Sequence, residues 1–125
     1  MTVFRRLLIV VAGLYGAAGV GLAAAAAHLA VDASLATAAN FLLFGAAGIG
    51  MAAALAVVAG RPWSFAEVGG GLLAVGTALF SGAIAARVLA GMVIFPMAAP
   101  TGGTMLMAGW LVIALAGLQR GAKSS

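Results

Sequence analysis

The sequence predicts an all-α integral membrane protein, one domain over residues 1–125 built as a bundle of four antiparallel transmembrane helices. Three observations carry that expectation. Hydrophobic residues make up 66% of the chain and charged residues 6%, whereas a soluble domain needs about a quarter of its residues charged to cover its outside. Four apolar stretches follow one another, at about 7–30, 35–59, 65–89 and 102–118, each roughly long enough at about 1.5 Å per residue to cross a hydrocarbon core of about 30 Å. No stretch alternates with period two, and unpaired backbone amides are not tolerated in lipid, so the spans are helices and not barrel strands.

The first span follows Arg5 and Arg6. A basic pair before an apolar run also describes a secretory signal, but a signal's apolar region is about 7 to 15 residues and this one continues to His28. A retained span anchored by its arginines is therefore expected. His28 and Asp32, four residues apart, share a helix face at the span's far end. They form the candidate polar site: either an interfacial pair closing the helix or half of a proton relay. One histidine and one aspartate are too few ligands for a structural zinc site.

Asp32-Ala33-Ser34 leads into the second span, and Gly60-Arg61-Pro62-Trp63 connects it to the third. Connections this short make neighbouring helices antiparallel. Ser64 precedes Glu67 by three, the spacing of a capping box, and Trp63 and Val68 stand where a hydrophobic staple would close over it. Glu67 is thereby expected to cap the helix rather than to carry protons, and Glu67→Gln, which keeps an accepting oxygen, to leave stability near normal.

The fourth span follows Met92 to Thr101 and opens at "PTGG", Pro100 to Gly103. Pro100 ends what precedes it, Thr101 offers a hydroxyl to the next helix's first amides, and Gly102 and Gly103 permit a tight approach to a neighbour. The glycine pair is no phosphate loop, because it lacks the lysine and the strand-to-helix setting. Trp110 is expected to pack or to face lipid, with Gly109 beside it making room for a neighbouring span.

Small residues recur along the spans. Gly13, Ala17, Gly21 and Ala25 repeat every four in the first, Gly71, Val75, Ala78, Gly82 and Ala85 alternate by three and four in the third, and Gly102, Gly109 and Ala116 repeat by seven in the fourth. Such stripes let helices approach where van der Waals contact replaces the hydrophobic effect. Backbone contact between the third and fourth spans is expected at Gly82 and Gly109, with Ala53 lying outside the stripes as a tolerant position.

The charge of +4 comes from six cations against two acids, with no basic stripe and interleaved aromatics of the kind that binds nucleic acid. With both termini cytoplasmic, Arg5, Arg6, Arg61, Arg120 and Lys123 fall on the inner side and Arg87 alone near the outer end, as the positive-inside rule favours. Cysteines at Ser64 and Ser125 would then react from the cytoplasm and one at Ser34 from the other side. The absence of cysteine excludes disulfides, thiolate metal sites and thiol redox chemistry.

The strings "LFSGA" (Leu79 to Ala83), "PTGG" and "AGW" (Ala108 to Trp110) resemble domain-of-unknown-function family 423, small four-span proteins of bacterial inner membranes. The resemblance is most specific in the third and fourth spans. In the first, "AAAAAH" ends on His28 with alanines where the family tends to have glycines, and a second family histidine corresponds here to Gly45 after Phe44. The resemblance implies a fold and an inner-membrane location, and no activity.

Three function classes stay open. A structural, interaction or accessory-subunit role fits an apolar bundle whose partners are the lipid bilayer, a membrane protein or further copies of itself. A small transporter or channel fits the size, yet ion-coupled carriers use an acid at mid-membrane and no span has one at its centre. An enzyme would need a nucleophile with a base, or metal ligands, and no catalytic, cofactor-binding or metal constellation is found. A groove for lipid or quinone between helices leaves no mark in sequence.

Overall fold

The structure, a computed structural model, describes residues 1–29, 33–94 and 96–119. Four helices follow in order: α1 (Val3–His28), α2 (Ser34–Ala59), α3 (Phe65–Ala90) and α4 (Ala98–Ala116). All four are long and apolar enough to cross a membrane.

The ends follow local chemistry. α1 starts earlier than expected because Thr2 caps it, its hydroxyl accepting from the Arg5 amide at 3.1 Å. The arginine pair is thus inside the first two turns, where helical phase gives the two residues different surroundings. α2 and α3 close on Gly60 (φ 69°) and Gly91 (φ 66°), the left-handed conformation that glycine adopts without a Cβ clash.

α4 departs most from expectation. It begins at Ala98, so Pro100 lies in its first turn and Thr101, Gly102 and Gly103 are already helical. A helix's first amides have no acceptor within it, so proline's missing N–H loses nothing there. The Thr101 amide then donates to the Met97 carbonyl at 2.9 Å. No side chain caps this end. The threonine hydroxyl seen bonding is that of Thr104, which donates back to Pro100 O at 3.0 Å.

α1 lies on α2, α2 on α3 and α3 on α4, with a lighter α1–α3 contact. Leu8, Ile49, Ala53, Leu73 and Leu106 form the core where these seams meet. Ala53 is 0% exposed, so it is not the tolerant position expected; alanine spacing alone does not reveal which face of α2 is covered.

The α3–α4 seam is the closest. A Cβ built on Gly76 would stand 2.9 Å from the Gly102 carbonyl, and one on Gly69 2.8 Å from the Gly109 carbonyl. Gly69 and Gly76 are seven apart on α3, as are Gly102 and Gly109 on α4, so two helix turns on one match two on its antiparallel neighbour. Gly102 and Gly109 therefore stand at close contacts, whereas Gly82 has nothing within 4 Å of a built Cβ. The contact line of α3 runs through Gly69, Leu73 and Gly76, on a different face from the stripe through Gly71, Gly82 and Ala85. Gly103 makes only ordinary contact, with its built Cβ 3.7 Å from Phe80.

Candidate functional site

A polar cluster binds the four helices together at the end that carries Arg5 and Gln119. Thr2 starts α1 so that Arg5 projects from the same face as Leu8 and Gly19, the other buried residues of that helix. Arg5 is 6% exposed, as is Glu67. Its Nη2 donates to Glu67 Oε1 at 2.9 Å and its Nε to Oε2 at 3.3 Å, a two-pronged pairing that guanidinium and carboxylate planes favour. Nη2 also donates to the Arg61 carbonyl at 2.8 Å, tying α1 to the α2–α3 connection.

Glu67 carries a second duty. Its Oε1 accepts from the Ser64 amide at 2.8 Å while Ser64 Oγ accepts from the Ala66 amide at 3.1 Å, and the two make a capping box at the start of α3. Trp63 sets its ring edge-on to Phe65, 5.4 Å away. Gln119, beyond α4, accepts from the Phe65 amide at 2.7 Å. One carboxylate thus serves a helix end and an interhelical ion pair, with both of its oxygens engaged.

Arg5, expected only as an anchor, and Glu67, expected only as a cap, are thus a buried ion pair. The signal for it was phase: Arg5, Leu8, Ala12, Tyr15 and Gly19 share one helical face, and Arg6 does not.

His28 is exposed in the last turn of α1, and Asp32 lies outside the described residues. Among the described residues no group of three or more metal-ligating side chains exists. At this same end Arg87 donates from Nη2 to Ser34 Oγ at 3.0 Å, joining the end of α3 to the start of α2.

Tyr15, Thr77 and Ser81 set hydroxyls between the helices. Tyr15 donates to Ala74 O and Ser81 to Ala38 O, both at 2.8 Å, as a hydroxyl in lipid requires. Thr77 is fully buried and its Oγ1 has no hydrogen-bond partner among the described residues. It abuts Gly45, where a built Cβ would come within 2.5 Å of that oxygen. Gly45 therefore has no room for a larger side chain against α3 in this structure.

An apolar cleft of about 480 Å³ runs between Phe41, Phe80, Gly103, Met107 and Trp110. Trp110 forms one end, its ring over Gly48, where a built Cβ would lie 2.7 Å away. Gly48 of α2 makes room for this ring, while Gly109 makes room for α3 as expected, its built Cβ 3.0 Å from the Gly69 carbonyl.

The family described as "Protein of unknown function (DUF423)" matches residues 15–103, well over half of the chain. No curated protein and no solved structure matches.

Proposed function

Since the chain belongs to the DUF423 family of proteins of unknown function, we propose from its own geometry that it is a structural or accessory membrane protein acting through lateral contacts. The observation that supports this reading most is the use made of Glu67. It is the only acid in the described helices, and both its oxygens are engaged in packing α1 and capping α3. A carrier needs an acid that exchanges its proton or substrate during turnover. The sides of the bundle, by contrast, are broad and apolar: Leu7, Val10 and Leu14 line an exposed ridge of α1, a surface suited to lipid or to another transmembrane helix.

Two experiments test the reading. The purified protein, reconstituted alone into vesicles holding a pH-sensitive dye, should pass no more protons under an imposed gradient than protein-free vesicles do. Flux above that background would favour a transporter. Crosslinking in the native membrane followed by gentle extraction should recover a stoichiometric complex, with a partner or with further copies. Recovery of only uncrosslinked monomer would count against lateral association.

The reading places the protein in the bacterial inner membrane with Arg5, Arg6 and Arg61 on the cytoplasmic side. Ser64 is buried and caps α3, so it is a poor labelling site, and exposed positions serve better. Cysteines at Trp63 and at Ala33 or Met92, all exposed, should react from opposite sides, Trp63→Cys from the cytoplasm. Reaction of all three from one side would refute the four-span topology.

A further inference from the structure

We propose that the cleft between α2, α3 and α4 holds an acyl chain of an anionic phospholipid, with the lipid's phosphate at Arg87. The inference is independent of whether the protein also has a protein partner.

The cleft has one charged mouth and an apolar length. At the mouth, Arg87, Ile84 and Ala83 of α3 face Val93, Ile94 and Pro96 across a recess of about 160 Å³. Ala99 lines this recess and also the cleft that continues to Trp110. Arg87, Ala83 and Phe80 are spaced by four and three along α3, so one helix face runs from the cation into the apolar part. From Ala99 to Trp110 is eleven residues, about 16 Å at about 1.5 Å per residue, or about half of a hydrocarbon core of about 30 Å. The cleft thus spans the depth of one leaflet, with its cation at the headgroup level.

Its walls suit a chain. Phe41 and Phe80 meet edge-on at 4.9 Å to form one side. Gly103 has no side chain to fill the space, and Thr104 turns its hydroxyl to Pro100 O, which leaves the lining apolar. Its volume lies within the range of about 300 to 1,000 Å³ common for ligand sites. At the mouth the planar guanidinium, held by Ser34 Oγ at 3.0 Å, matches phosphate oxygens in geometry and charge. A neutral or zwitterionic lipid would fill the same length without the same net attraction to the cation.

Trp110 supplies a reporter at the far end. With Trp63→Phe as background it is the sole tryptophan. The protein is reconstituted in phosphatidylcholine vesicles containing a minor fraction of phosphatidylglycerol or phosphatidylcholine brominated in the acyl chain. Brominated phosphatidylglycerol should quench Trp110 several-fold more than the same fraction of brominated phosphatidylcholine. Arg87→Gln should abolish the excess and Arg87→Lys retain part of it. Gly103→Leu, which fills the cleft without touching the cation, should abolish it independently, so that misfolding of Arg87→Gln would leave the question decidable. Equal quenching by the two lipids, or an excess that survives both Arg87→Gln and Gly103→Leu, overturns the proposal. So does the absence of quenching by either, as a second copy seated in the cleft would give.

Discussion

Glu67→Gln should destabilise the protein by about 3 to 5 kcal/mol, the usual cost of removing one partner from a buried ion pair. The amide preserves the acceptor that Ser64 needs, so the cap on α3 survives. What it cannot supply is the charge opposite Arg5, which stays buried at 6% exposure beside a neutral group. Thermal unfolding in detergent checks this. A melting temperature equal to that of the unmodified protein would mean that the pair contributes nothing, and the milder result expected from the capping box alone would stand.

Gly102→Ala should also lower stability, although exchanging glycine for alanine within a helix ordinarily favours the helix by about 0.5 to 1 kcal/mol. The added methyl would collide with the Phe80 amide nitrogen and stand 2.7 Å from the Gly76 carbonyl. Both are backbone atoms, which cannot rotate away, so α3 and α4 must separate. Overpacking of this kind typically costs about 1 to 3 kcal/mol, and in lipid no hydrophobic gain offsets the lost contact. Gly82→Ala, with nothing within 4 Å, should instead be neutral or slightly stabilising. Equal effects at the two positions would show that the Gly69–Gly109 and Gly76–Gly102 pairings do not hold the seam.

The contrast between Gly102 and Gly82 shows what sequence could and could not tell. Four spans and their order were legible because lipid demands long apolar runs, and the α3 start was legible because Ser64 and Glu67 carry a spacing that few other arrangements produce. The face of α3 that meets α4 was not. Glycines and alanines occur all around that helix, and choosing between Gly76 and Gly82 depends on the rotation of one helix against another. Pro100 misled for a related reason: a proline near a helix start is tolerated both before the first turn and within it, and only the path from Met97 distinguishes the two. Arg5 was readable in principle from its phase with Leu8 and Gly19. Its partner was not, because 62 positions separate it from Glu67 and nothing local links them.

The proposed role depends chiefly on Glu67 serving structure. The most direct measurement is the stability of Arg5→Met combined with Glu67→Gln, set against each single variant. If the pair's duty is to hold α1 on α3, removing both charges together leaves neither one uncompensated. Replacement of a buried pair by well-packed neutral residues is often neutral or stabilising. The double variant should therefore recover most of the stability lost in Glu67→Gln alone, a coupling of about 2 kcal/mol or more between the two sites. Additive losses, with the double variant less stable than either single one, would contradict a structural pairing of Arg5 with Glu67 and return the carboxylate to the list of candidate carriers.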